Sequence, residues 1–322
     1  MGREFDLINR YFSRPVPPGY LGAGMTARCC LSGQAKNWPS APTSWLRVDI
    51  FFGCLCLIFG PQGACSQSFR SCRNGRSPLG CVLGLAIPAI DDAWLSGFSD
   101  GFYALAEQAG CPLVGGDTTW AEKITLSITV FGEVDAAFAL RRDAARVDDD
   151  IWVTGMLGAP HMALLLLQDA LPADVRGQML LHESALRQAL ELPQPPLVFG
   201  MRLAGLAHAA LDISDGFLQD LGHILTASNC GAYIRYDDLP VHPALSGLPD
   251  ALRQDAVLSG GDVYQLCFTA APAVREAIQA QAQACGVRVT RVGTITPEAG
   301  RQHVVRDNGA VVQVTRQGFQ HF

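Results

Sequence analysis

Lysine is nearly absent from this chain: only Lys36 and Lys123 occur in 322 residues. No G-x-x-x-x-G-K-[ST] loop is present either, which excludes a lysine-based phosphate loop. Any phosphate chemistry must therefore be neutralised by metal ions and arginines. A basic face is also lacking, with a formal net charge of −6, and this argues against non-specific nucleic-acid binding. No apolar run is long enough to cross a bilayer; residues 50–60 reach about half of the ~20 needed. Residues 1–14 mix charged and apolar side chains without an apolar core, so no signal peptide is expected. That reading places the chain in the cytoplasm, away from membranes. Cysteine is plentiful at 11, but no C-x-x-C pair has a matching second pair, so zinc gains little support.

What is present suits a soluble enzyme of two domains. The polar stretch 139–150 reads as the linker region, giving an N-terminal domain over 1–145 and a C-terminal domain over 146–322. Strands and helices intermix without strict βαβ alternation, which predicts an α+β architecture. Residues 4–12 are amphipathic and predict a short helix. Residues 83–88 predict an apolar strand. Residues 91–110 predict a helix capped by Asp91 or Asp92 and stopped by Gly110. A strand over 123–134 follows from its alternating Ile, Val and Thr. Further on, helices are predicted at 161–171 and about 198–210, and another from Ser214 to Ser228. Strands are predicted at 151–155, 232–236, 263–269 and 287–295, with a helix at 273–285.

Three short stretches carry chemistry. In Leu211-Asp212-Ile213-Ser214-Asp215-Gly216, two carboxylates three residues apart flank a hydroxyl. Asp212 and Asp215 suit a hard oxygen-seeking cation such as Mg²⁺, and a nearby helix N-terminus suits phosphate. The same residues also fit an ordinary helix cap. Gly115-Gly116-Asp117-Thr118 follows a buried strand and reads either as an anion cradle with a metal-binding carboxylate or as a plain turn. Ser259-Gly260-Gly261-Asp262 repeats that chemistry in the second half. Arg142 could reach a phosphate or be a solvated surface cation. Phe319 near the C-terminus could pack the tail or cover a planar ring.

Together, DISDGFLQDLGHI, the GGDTT segment, SGG-Asp-x-Tyr-x-LCF, the terminal G-F-x-H-F and the opening EFDLINRYF resemble the thiamine-monophosphate kinase family. That family belongs to the superfamily of aminoimidazole ribonucleotide synthetase. The resemblance implies the two-domain α+β fold of that superfamily and a homodimer. It also implies transfer of the γ-phosphoryl group of ATP to thiamine monophosphate with Mg²⁺. By the same resemblance, Asp117, Asp212 and Asp215 are metal ligands, and Gly116, Asp117, Arg142 and Ser214 belong to the ATP site. Asp262 and Phe319 then meet the thiamine substrate. Two alternatives stay open at this point: a related ATP-dependent enzyme with another substrate, or a non-catalytic remnant.

Residues 20–82 depart from the pattern. They hold seven of the cysteines and a single acidic residue, Asp49. Three motifs of the family belong there: Gly-Asp-Asp, Ser-Thr-Asp with a His-Phe-Phe segment, and Asn-Leu-Ser-Asp. None is present, yet all three reappear in order when the block is back-translated and read in shifted frames. The block is therefore read as out-of-frame translation, entered near Pro18 and left near Cys81. The chain as it stands is expected to fold incompletely before Leu83 and to bind Mg-ATP poorly. Smaller departures are Gly261-Asp262-Val263-Tyr264-Gln265 for Gly-Glu-Asp-Tyr-Glu, an arginine-free Leu192-Pro193-Gln194-Pro195-Pro196, and Gly158-Ala159-Pro160 for Gly-Asp-Ser.

Overall fold

The computed structural model describes residues 7, 10–12, 46–51, 77–133, 138–314, 316, 318 and 319. Most of the anomalous block, and most of the helix expected over 4–12, lie outside these residues, although Leu7, Arg10 and Tyr11 are helical. The chain divides into two compact units, with the change at Ala137/Phe138.

The first unit is built on a four-stranded sheet. Its strands are β1 (Leu46–Phe51), β2 (Ser77–Ile87), β3 (Leu113–Trp120) and β4 (Thr125–Glu133), in the order β1-β4-β2-β3. Parallel β2 and β3 are joined by α1 (Asp92–Ala109), as a parallel pair requires a crossover. Asp91 caps α1 by accepting from the Ala93 and Trp94 N–H groups, and Gly110 ends it at φ 62°. The helix buries Leu95, Phe98, Phe102 and Ala106, residues at helical spacing. Regular structure here starts before Leu83, contrary to expectation. Strand β2 already begins at Ser77, because residues from Ser77 onward are in register with β4.

A six-stranded sheet organises the second unit. It comprises β5 (Asp150–Thr154), β6 (Ala209–Ile213), β7 (Gly231–Arg235), β8 (Gln265–Ala270), β9 (Val289–Thr296) and β10 (Gln302–Val305). Their order is β10-β7-β9-β5-β8-β6, antiparallel throughout except for β10 with β7. Helices α2 (Ala159–Leu167), α3 (Ala173–Leu180), α4 (Glu183–Glu191) and α5 (Leu197–Arg202) lie between β5 and β6. After β6 come α6 (Phe217–Ser228), α7 (Asp250–Leu258) and α8 (Arg275–Ala284).

The core of this unit gathers Trp152, Phe199, Leu203, Phe268 and Ile278. Phe268 stacks on Trp152 at 6.1 Å and meets Phe199 edge-on at 6.0 Å. Buried Asp150 takes the Arg275 guanidinium on both oxygens, at 2.6 and 2.7 Å, tying the start of α8 to β5. Arg141 bridges to Ala209 and the Arg142 carbonyl accepts from Ser228 Oγ at 3.1 Å, so residues 138–145 pack with this unit.

Two expected helices are corrected by strand pairing. The helix predicted over 198–210 stops at Arg202, since Ala209 and Ala210 pair with Thr269 and Phe268 of β8. The helix predicted from Ser214 starts at Phe217. Asp212 is a strand residue opposite Leu266, and Ser214 and Asp215 form the turn between β6 and α6.

Candidate active site

The turn after β6 is held from inside by a residue that the sequence motifs had not singled out. Asp220, in the first turn of α6 and 3% exposed, folds back so that Oδ2 accepts three backbone N–H groups. These are Ser214 at 2.8 Å, Asp215 at 3.0 Å and Gly216 at 3.2 Å. Burial pushes the Asp220 carboxyl up to about 7, and the nearby charge of Asp215 adds to that, against the pull of the three N–H groups. The arrangement changes the expected chemistry of the turn. Those N–H groups face an internal carboxylate, so they do not form the phosphate cradle that a helix start can provide.

A second loop lies directly on this turn. The Asp262 N–H donates to the Ser214 carbonyl at 2.8 Å, and the Tyr264 N–H donates to the Ile213 carbonyl at 2.7 Å. The approach is so close that a Cβ on Gly261 would sit 2.5 Å from the Ser214 carbonyl oxygen, so only glycine fits there. Asp262 and Tyr264 both have positive φ, 60° and 51°. For tyrosine that is a strained conformation, held here by the flanking hydrogen bonds. The Tyr264 hydroxyl donates to Asp262 Oδ1 at 2.8 Å, fixing the carboxylate of the expected substrate residue.

The C-terminal segment joins the same place. The Phe319 N–H donates to the Asp215 carbonyl at 2.9 Å, and the Phe319 carbonyl accepts from Gln219 Nε2 at 2.9 Å. Gln219 Nε2 also lies 3.4 Å from Asp215 Oδ2. Phe319 is 54% exposed although its backbone is docked. Behind it, the Arg316 guanidinium forks onto Asp255 at 2.7 and 2.8 Å. Burial of Asp255 opposes its charge, but hydrogen bonds from His161 and Arg316 and the guanidinium charge hold its carboxyl down to about 2.

Asp212, Ser214, Asp215, Asp262 and Phe319 are thus brought together at one end of β6. Arg142 is not. It is exposed, and its backbone is hydrogen-bonded to Ser228 at the far end of α6, a helix about 18 Å long at 1.5 Å per residue. Gly116 and Asp117 belong to the first unit and lie within β3, opposite Leu83 and Gly84, instead of in a turn after a strand. A Cβ on Gly116 would fall 2.1 Å from the Leu83 carbonyl oxygen, so this glycine is required by strand packing. Gln219, Asp220 and Tyr264 were present in the quoted motifs, but no role was read from them. His161, Asp255 and Arg316 have no common sequence signal, being joined only by the fold.

Among the described residues, no group of three or more His, Cys, Asp or Glu side chains is gathered to hold a metal ion. Mg²⁺ is commonly held by one or two carboxylates with the remaining positions left to water and phosphate oxygens, and Asp212 and Asp215 are the two carboxylates that flank Ser214 here. The described cysteines, Cys81, Cys111, Cys230, Cys267 and Cys285, are all free thiols. No helix among the described residues is long and apolar enough to cross a membrane.

Comparison with known proteins identifies the family of the chain. Residues 72–134 match the N-terminal domain, and residues 160–306 the C-terminal domain, of the AIR synthase related proteins. The match therefore begins ten residues before Val82. The family match thus reaches into the block read as out of frame. A thiamine-monophosphate kinase of Salmonella typhimurium is 36% identical over 252 residues, covering 77% of this chain and 75% of that protein. The crystal structure of the thiamine-monophosphate kinase from Stenotrophomonas maltophilia superposes with a TM-score of 0.72 at 36% identity, over 84% of this chain and 88% of that one. The structure of AaThiL complexed with AMPPCP and TMP has a TM-score of 0.66 at 23% identity, over 87% and 86% of the two chains, and shares the fold. By its two matched domains and its sequence identity, the chain belongs to the thiamine-monophosphate kinase family.

Proposed function

We propose that this chain is an ATP-dependent kinase that converts thiamine monophosphate to thiamine diphosphate. The observation that carries the reading is the meeting of the Asp212–Asp215 turn, the 259–264 loop and the Phe319 tail at one end of β6. Relatives at 36% identity are named for this activity, and a neighbour of the same fold holds AMPPCP and TMP.

In the reaction, a phosphate oxygen of thiamine monophosphate attacks the γ-phosphorus of ATP. The bond from that phosphorus to the β,γ-bridging oxygen breaks, and ADP leaves. Such a transfer asks for in-line positioning and charge neutralisation more than for proton transfer, and no side chain is assigned as acid or base. Asp212 and Asp215 would hold Mg²⁺, and Asp117 keeps the metal-ligand role that the family resemblance implies for the first unit. The bound ion supplies positive charge to the phosphate oxygens. Ser214 keeps the proposed nucleotide role in the second unit and Gly116 the one that the family resemblance implies in the first, whereas Arg142, beside Ser228 at the far end of α6, is left out of the proposal. Asp262, oriented by the Tyr264 hydroxyl, and the Phe319 ring receive the thiamine moiety. A cytoplasmic homodimer is part of the same proposal, carried by the family resemblance.

The test is thermal shift and turnover with Mg-ATP and thiamine monophosphate. Stabilisation by both, with loss of at least ~100-fold in turnover for Asp212→Ala and Asp215→Ala, supports the kinase, since removing a charge-stabilising group typically has effects of that size. Response to ATP alone would favour another substrate, and response to neither would favour a remnant. Resequencing the codons for residues 15–85 decides independently whether residues 20–82 belong to the native polypeptide.

A further inference from the structure

The C-terminal segment reaches the site across a strap that serves no other evident purpose. Arg316 lies three residues before Phe319, in a stretch whose described side chains are largely exposed. Chain ends of this kind fray unless tied down. Here the tie is a bidentate pair: Arg316 Nε to Asp255 Oδ1 at 2.7 Å and Nη2 to Oδ2 at 2.8 Å. Nη2 also lies 3.0 Å from His161 Nε2, and that same ring nitrogen is 3.4 Å from Asp255 Oδ2, so the imidazole sits against both partners of the pair. His161 is 8% exposed. The backbone is held as well: Ser259 Oγ, on a residue 4% exposed, donates to the Arg316 carbonyl at 2.5 Å. Four elements (α2, α7, the 259–264 loop and the tail) therefore meet at one arginine. The loop that anchors Arg316 is the same loop that carries Asp262 onto the Ser214 carbonyl.

We propose that Arg316 is a positioning residue, clamped by Asp255 and His161, that keeps the tail docked so that Phe319 is in place for the thiamine ring. This rests on the reading of Phe319 as a substrate contact given above. Arg316 itself touches neither substrate nor the reacting phosphate. Its effect falls on the population of chains with the tail docked, and apparent affinity scales with that fraction. If removing the clamp lowers the docked fraction to about a tenth, the apparent Kd for thiamine monophosphate rises about tenfold, with Mg-ATP affinity and kcat nearly unchanged. Lysine cannot make the planar fork, so Arg316→Lys should recover only part of the loss.

The experiment uses the full chain and its variants Arg316→Ala, Arg316→Lys, Asp255→Asn, Phe319→Ala and the Arg316→Ala/Phe319→Ala double variant. Amide hydrogen exchange at Phe319, whose N–H bonds the Asp215 carbonyl, should speed up at least tenfold in Arg316→Ala without ligand present. In kinetics, KM for thiamine monophosphate should rise in Arg316→Ala while KM for ATP holds. Adding Arg316→Ala to Phe319→Ala should change little further. Unchanged exchange at Phe319 overturns the clamp. Faster exchange with an unchanged KM for thiamine monophosphate, or a full additive loss in the double variant, overturns the positioning role while leaving the kinase reading intact. No effect of Phe319→Ala on any constant overturns the assignment of that ring, and the positioning proposal falls with it.

Discussion

Replacing Asp220 by asparagine should destabilise the second unit at pH 5 and stabilise it at pH 8. The carboxyl is buried beneath three N–H groups at 2.8, 3.0 and 3.2 Å, and burial lifts it from an ordinary 3.8 to about 7. In the unfolded chain the same group loses its proton near pH 4. Between these values the folded state keeps a proton that the unfolded state has released. The stabilisation is therefore complete below about pH 4 and is lost as pH rises through about 7. A difference of about three pH units at 1.36 kcal/mol each sets an upper bound of about 4 kcal/mol for the whole swing. Asparagine does not titrate, and its carbonyl can accept the same N–H groups. At pH 5 the variant loses about 1 kcal/mol, the usual difference for a weaker acceptor. By pH 8 the wild type has lost more than that, and the variant should be ahead by about 2 kcal/mol.

The assay is urea unfolding in EDTA, to keep metal from Asp215, with a thiosulfonate pulse read at Cys267 by peptide mass spectrometry. Cys267 is a suitable reporter because it is fully buried in β8, opposite Leu211 of β6, and burial holds its thiol protonated. If Asp220→Asn is more damaging at pH 8 than at pH 5, the three N–H bonds outweigh burial. Burial would then not be what governs the proton on Asp220.

Two further outcomes follow from other contacts. Asp255 is depressed to about 2, so the stability contributed by its pair with Arg316 should be full above pH 4 and disappear as pH falls from about 4 to 2. Partial solvent exposure limits it to about 1–2 kcal/mol, and amide exchange at Phe319 across that range is the measure. Phe268→Ala removes a fully buried ring stacked on Trp152 and edge-on to Phe199, and should lower unfolding free energy by about 3–5 kcal/mol. Denaturant melts followed at Cys230 and Cys267 report it.

Much of the fold was legible where one local rule dominates. Helix α1 ends where its cap and stop residues sit, Asp91 and Gly110, because capping is decided within a few residues. Local reading failed where pairing with a distant strand decides the outcome. Residues 198–210 look helical in isolation, but Ala209 and Ala210 are claimed by β8. The GGDTT segment has turn composition, yet it is strand because Gly116 allows the close approach of the Leu83 carbonyl. Composition also separated the block beginning at Tyr20 from the rest of the chain, although Ser77 to Val82 belong to a regular strand. In the site, the residues with exposed chemistry were visible as motifs. Those that hold it together were not, since the roles of Asp220, Tyr264 and Arg316 exist only through partners supplied by the fold.

That division has a chemical consequence. Asp212, Asp215, Asp220 and Asp262 all belong to two adjoining loops and their flanks, and Asp220 occupies the N–H groups that a bare helix start would offer to an anion. A triphosphate approaching such a surface meets like charge, worth about 3 kcal/mol per unit pair at 5 Å in an intermediate dielectric. The chain has two lysines in all, and both precede the second unit. On the proposed reading, divalent cations at Asp212 and Asp215, together with arginines, would supply the attraction, while Asp220 holds the turn from inside. A loop built to bind phosphate directly would turn its N–H groups to the ligand; in this one, the Ser214, Asp215 and Gly216 N–H groups are taken by Asp220 and fix the shape of the turn.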